Sequence, residues 1–288
     1  MLREYVIVTD SCADLPKTTL EEYGIVSLPL ELHFDNGESK YNDEIEYKAF
    51  YDRLRAKERV TTSSVNVERF TACFEKILLA GKDVFYVGFS SALSATYRMA
   101  ALAAQQLREK YPEASLYTID SLCASLGEGL FVTLLADKKR EGMTLEALYA
   151  YAKALRLRVC HDFTVDDLFF LKRGGRISAA TALLGTVLSV KPVLHVDDEG
   201  RLVSVRKVRG RRTSILSLFE RMKENVTEEG KRRIYISHGD CYEDACLLAE
   251  MIRREYPDVQ ILVHYVGSVI GSHSGPGTLA LFYLGRTR

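Results

Sequence analysis

Four short clusters of hydroxyl residues are the first candidates for chemistry: Thr9-Asp10-Ser11, Thr61-Thr62-Ser63-Ser64, Ser90-Ser91 with Ser94 and Thr96, and Asp120-Ser121. Each follows a strand-like run, so all four are expected at one edge of a single parallel sheet. Ligands bind beyond the carboxyl ends of such strands, beside helix N-termini whose free N–H groups suit an anion. Hydroxyls add donors without adding charge. Ser and Thr also serve as caps and turns, so any one cluster can be plain scaffold. Four at one edge point to a site.

A second candidate is the stretch Gly267 to Gly277, in which four glycines and Pro276 surround His273. It reads as a loop that lets backbone approach a ligand closely. It has neither the Lys-Ser/Thr pair of a P-loop nor the spacing of a dinucleotide fingerprint. Ser94, His273 and an aspartate have the composition of an acyl hydrolase acting on lipid-like esters. Ser90 to Tyr97, however, lacks the GxSxG nucleophile turn. His161-Asp162 with Asp166-Asp167 is the one grouping suggestive of a metal site, and it reads as a capping or surface run; no metal and no cofactor are expected. Arg173 and Arg176 flank a glycine pair. Arg201, Arg206, Lys207, Arg209, Arg211 and Arg212 crowd a later segment, which reads as a solvated face or a dock for an acidic or phosphate-bearing partner.

The elements that must position these residues alternate between strand and helix. Of the 288 residues, 47% are apolar and 27% charged, an ordinary globular balance. Basic and acidic residues both number 39, so no overall field recruits nucleic acid. Six cysteines lie scattered without the close pairs of a zinc site. The opening Met1-Leu2-Arg3-Glu4 does not read as a signal peptide. The longest near-apolar stretch, Ala179 to Val190, is too short to span a bilayer. A cytoplasmic protein without stable membrane insertion is expected.

Strands are expected over Glu4 to Thr9, Ile25 to Phe34, Asp83 to Phe89 and Ser115 to Ile119. Helices are expected from Asp14 to Gly24, from Asp43 to about Lys57, from Val67 to Leu79, and from Tyr97 to about Lys110. Two more follow, Ser125 to Arg140 and Thr144 to Arg158. This order implies an α/β fold with a parallel sheet covered on both faces. After Arg158 come a polar break at Lys172 to Arg176 and a hairpin from Val193 to Val208 turning at Asp198-Glu199-Gly200. A helix, a strand, a helix and a strand then run to Val266. The boundary between two α/β domains is expected at 158/159, giving 1–158 and 159–288. Ser178 to Leu188 and Leu279 to Leu284 read as apolar helices.

The motifs Thr9-Asp10-Ser11 with Asp14-Leu15-Pro16, Thr62-Ser63, Ser90 to Tyr97, Leu171 to Ile177, Lys191-Pro192-Val193-Leu194, His238-Gly239 and Gly271 to Gly277 occur in one order along the chain. In this the sequence resembles the DegV family, fatty-acid-binding proteins that serve as the binding subunit of bacterial fatty acid kinase. The resemblance implies two α/β domains with a lipid tunnel between them. It implies that Thr62, Ser94 and His273 grip the carboxylate of a long-chain fatty acid, with Ser63 and Ser274 as neighbours. It further implies that Arg173, Arg176 and the hairpin residue Arg201 face the kinase subunit, which phosphorylates the bound acid while this chain does no chemistry. The sequence departs from the family at Ser64-Val65-Asn66, and at Ala92 and Ala95, where glycine is usual. Both changes lie beside the implied headgroup site.

Overall fold

The strand-type runs of the first half pair in parallel. β1 (Tyr5–Asp10), β2 (Val26–Leu28), β6 (Asp83–Gly88) and β7 (Leu116–Asp120) lie in the order β2-β1-β6-β7, every pair parallel. Ile7, Phe85 and Val87 pack on one face with the helices Leu126–Arg140 and Leu145–Leu155. Val8, Val84 and Tyr86 pack on the other with Val67–Leu79 and Thr96–Lys110. Two buried faces explain why these strands are apolar throughout. Two of these helices start on side-chain caps: Asn66 accepts from Arg69 N at 2.9 Å, and Thr144 from Ala147 N at 3.3 Å.

The structure, a computed structural model, describes residues 3–177 and 190–288. The apolar stretch Ser178 to Leu188 lies outside them. Among the described residues no helix is long and apolar enough to cross a membrane.

Several expectations are corrected. Ile25 to Phe34 is two strands, because Pro29 has no N–H to give a ladder. β2 joins the parallel sheet, while β3 (Glu31–Phe34) pairs antiparallel with β4 (Ser39–Tyr41) and β5 (Val60–Ser63), in the order β4-β3-β5. The hydroxyl cluster at Thr61 to Ser64 therefore sits on a different sheet from the other three. The helix expected from Asp43 begins at Tyr47 and runs to Arg55. Its cap is Glu46, which accepts from Lys48 N at 2.9 Å and Ala49 N at 2.6 Å.

A six-stranded sheet follows, in the order β10-β9-β8-β13-β11-β12. It comprises β8 (Val159–Thr164), β9 (Val190–Val196), β10 (Leu202–Arg209), β11 (Arg233–His238), β12 (Gln260–Tyr265) and β13 (Leu279–Leu284). The expected hairpin is β9–β10. β8 was hidden because Cys160, His161 and Asp162 interrupt its apolar character, yet all six of its residues are buried. Leu279 to Leu284 is a strand, not a helix: it lies between β8 and β11 and is covered on both faces. The glycine-rich stretch is not a simple loop either, since Ser268–Ser274 is helical.

Leu126–Arg140 joins the two large sheets. It is buried on nearly every side, touching β1 in one direction and β8, β11 and β13 in the other. Its first turn comes so close to β8 that a Cβ on Gly127 would collide with His161 Nε2.

Gly127→Ala is therefore expected to lower the urea midpoint. The loss is about 1–3 kcal/mol, as for an overpacked core, although alanine alone favours a helix by about 1 kcal/mol. Chemical denaturation checks this, and an unchanged or raised midpoint would show that the sheet yields.

Candidate functional site

Past the first turn of this wedge the gap between the sheets is not filled. A cavity of about 260 Å³ lies there. The loop after β6 contributes Phe89 and Leu93, and the six-stranded sheet contributes Phe163, Leu202, Ala280 and Phe282. Most of the wall is apolar.

Polar groups gather where β5, the loop after β6 and the helix Ser268–Ser274 meet. Thr62 Oγ1 and His273 Nε2 lie 2.8 Å apart. Ser94 lines the same region while its Oγ pairs with Thr96 Oγ1 at 2.9 Å and accepts from Thr96 N at 3.2 Å. It thus holds the first residue of the helix Thr96–Lys110 while facing the cavity. Ser274 Oγ is buried, lines the cavity and has no hydrogen-bond partner among the described residues. Arg176 also lines the wall, held by Nε donating to Leu93 O at 3.1 Å and Nη1 donating to Gly174 O.

Burial pushes the His273 imidazole down to about 4, and the Arg176 and Arg173 cations add to the effect. It is therefore neutral near pH 7. Burial also lowers the Arg176 guanidinium, which starts so high that it stays charged. Among the described residues this end of the cavity offers hydroxyls, a neutral imidazole and one cation, with no carboxylate lining it. Such a set holds an anion by charge-assisted hydrogen bonds.

Thr62, Ser94, His273 and Ser274 are thus brought together. Ser63 is not: alternation along β5 turns it away, and its Oγ lies 2.6 Å from His33 Nε2. Ser64 takes that place on the wall. Arg176, expected to face a partner, faces the cavity. Arg173 is exposed, its guanidinium 4.9 Å from the Phe170 ring centroid. Arg201 is exposed and paired with Glu199. A Cβ on Gly174 would collide with His273 Nδ1, so the Lys-Arg-Gly-Gly-Arg segment runs directly over the imidazole.

The remaining hydroxyl clusters are brackets. Asp10 accepts from Tyr86 Oη at 2.8 Å, Phe89 N at 3.1 Å and Cys12 N at 3.1 Å, fixing the start of the loop that carries Ser94. Ser11 Oγ accepts from Leu30 N at 3.0 Å. Ser90 Oγ donates to Gly200 O at 2.9 Å, tying the same loop to the hairpin turn. Sequence reasoning missed Ser125 and Ser237 on the wall, named Ser64 only within its cluster and read His161 as part of a capping or surface run. Period-2 alternation from Thr62 would have found Ser64; the others depend on how two distant sheets meet.

The chain as a whole is similar to known proteins. The family model described as "Uncharacterised protein, DegV family" matches residues 4–286. A DegV domain-containing protein of Clostridium perfringens is 43% identical over 289 residues, spanning 100% of this chain and 99% of that one. Among solved structures, a DegV family protein from Thermus thermophilus described by its fatty acid binding is similar, with a TM-score of 0.88 and 31% identity over 98% of this chain and 99% of that one. DegV of Bacillus subtilis, described as a fatty acid binding protein, gives 0.86 and 30% over 99% and 100%.

The neutral His273 carries a pH signature. In the unfolded chain it takes a proton below its ordinary 6.5, whereas the folded chain refuses one until about 4. Stability from this group is complete above pH 6.5 and drains away as the pH falls towards 4, by about 1.4 kcal/mol per pH unit. His273→Gln should flatten the stability-against-pH curve in that window, as measured by urea unfolding. An unchanged slope would mean that His273 is solvated.

Proposed function

Because this chain belongs to the DegV family, we propose that it holds a long-chain fatty acid, with the tail in the cavity and the carboxylate among Thr62, Ser94, Ser274, His273 and Arg176. The observation that supports this best is the sorting of polarity: an apolar cavity between two sheets has a cluster of donors at one end. Each buried methylene is worth about 0.8 kcal/mol, so a long tail contributes on the order of 10 kcal/mol before ordering costs. The tail supplies affinity and the donors supply orientation. The descriptions of the Thermus and Bacillus relatives point the same way.

The chain presents the acid and leaves the chemistry to a kinase subunit. Ser94 Oγ is engaged by Thr96 and His273 Nε2 by Thr62, so the alternative of a serine hydrolase lacks its Ser–His hydrogen bond. Arg173 and Arg201 belong to the surface that meets the kinase. Arg173 stands next to Gly174, which lies against His273, so that surface reaches the headgroup. The same reading divides the chain into 1–158, which carries the parallel and three-stranded sheets, and 159–288, which carries the six-stranded sheet. Six thiols without a disulfide suit a reducing cytoplasm.

Mass spectrometry of an organic extract of the purified protein should show fatty acid. Thr62→Val should weaken binding by about tenfold, the worth of one charge-assisted hydrogen bond. Finding no lipid in the extract, and no binding of added fatty acid, would end the proposal.

Charge reversal at Arg173 or Arg201 should slow phosphorylation of the bound acid by a fatty acid kinase subunit and leave the fatty acid Kd unchanged. Unaltered phosphorylation in both variants would remove the docking assignment.

A further inference from the structure

The cavity holds a second polar group, apart from the donors around His273 and inside the apolar stretch. Ser237, on β11, is a Cα partner of Ala280 on β13, and Ala280 pairs with Phe163 on β8. All three line the cavity. Thr278, whose Oγ1 donates to Ser274 O at 3.1 Å, marks the anion-binding end of the same sheet. Ala280 is two residues further along the chain, roughly 7 Å away at the rise of a strand.

Ser237 Oγ lies 3.0 Å from Ser125 Oγ, and Ser125 Oγ donates to Asp14 Oδ2 at 2.6 Å. Ser125 also lines the cavity. It precedes the helix Leu126–Arg140 at φ +53° and ψ −146°, a conformation that costs a non-glycine residue energy. Asp14 is 3% exposed and Ser237 is fully buried.

The hydrogens in this relay can be counted. Serine has one to give. With Asp14 ionised, Ser125 gives its hydrogen to the carboxylate, so Ser237 gives its own to Ser125. The lone pairs of Ser237, which lines the cavity, are then left without a donor among the described residues. With Asp14 protonated the relay can run the other way, and Ser237 offers a hydrogen instead. The adjacent His161 supplies neither, since its Nδ1 donates to Val159 O at 3.0 Å and its Nε2 accepts from Ala124 N at 3.1 Å. A plain methylene tail over this patch leaves a buried polar group unanswered, which is costly. A hydroxyl both gives and takes, and completes the relay in either direction.

We infer that Ser237, backed by Ser125 and Asp14, is a specificity site for a hydroxyl group on the tail, so that the ligand class is the mid-chain hydroxy fatty acids. This rests on the reading of the cavity as a fatty acid site and narrows it.

The test is a competition on lipid-free protein between octadecanoic acid and its monohydroxy isomers, with the hydroxyl placed at successive mid-chain carbons, and the keto acid matching the best of them. One or two adjacent isomers should bind about tenfold more tightly than octadecanoic acid, the worth of a buried hydrogen bond, with the keto acid below them. Ser237→Ala should erase that preference while binding of octadecanoic acid is kept or improved. Ser125→Gly, which retains the unusual backbone without the hydroxyl, should act likewise if Ser237→Ala folds poorly. Equal binding of all isomers and the parent acid would overturn the inference alone, as would a preference that survives in both variants. Binding of none of these acids would overturn the fatty acid reading with it.

Discussion

A helix with almost no solvent-facing side sets the spacing of this molecule. Leu126–Arg140 is packed between the parallel sheet and the six-stranded sheet, and a helix with its side chains is about 10–12 Å across. The two sheets are held at that distance along its length. Where the helix starts, the spacing persists but the filling stops, so the cavity continues the wedge's own slot. Ser125, the residue before the helix, is accordingly both the last piece of its N-terminus and part of the cavity wall. Glycine at 127 lets the slot stay narrow enough for β8 to pack against it.

Burying acids in such a slot requires neutral forms or many donors. Thr9 Oγ1 lies 2.9 Å from Val87 O and 2.8 Å from Glu128 Oε1. Its single hydrogen faces two acceptors, and both contacts become hydrogen bonds only when Glu128 carries a proton of its own. Burial pushes that acid well above its ordinary range, in agreement. Asp10 takes the other course and collects three donors, using them to fix the backbone at Phe89. The interior polar residues thus build the frame from which the cavity's donors hang, and few of them touch the cavity. His273 follows the same economy: burial keeps it neutral, so the cation beside it, Arg176, carries the local charge.

Much of the fold was legible because its signals are local. The alternation of strands and helices through residue 140 depends on caps, glycines and apolar spacing, all visible in the chain. What failed were positions decided by distant neighbours. Leu279 to Leu284 is apolar at every residue and carries no period, so only its place between β8 and β11 makes it a strand. β8 carries an aspartate that is tolerated because Tyr283 and Arg221 reach it at 2.8 and 2.6 Å, and a histidine whose ring nitrogens meet Val159 O and Ala124 N at 3.0 and 3.1 Å. The same limit applies at the site. Thr62, Ser94 and His273 stand in recognisable motifs, whereas Ser237 lies in an ordinary strand and gains meaning only from Ser125, brought to it by the wedge. Ser63 was misplaced because a cluster of four hydroxyl residues does not announce which pair points inward.

The hydrogen bond from Ser90 Oγ to Gly200 O joins the turn of the β9–β10 hairpin to the loop that bears Ser94. Gly200 is followed by the exposed Arg201, and Ser90 is held at the other end by its own N–H donating to Cys123 O at 3.0 Å. The hairpin turn and the cavity rim therefore share one anchor: Gly200 and the loop that carries Ser94 are pinned at the same residue, so shifting either against the other costs that buried bond.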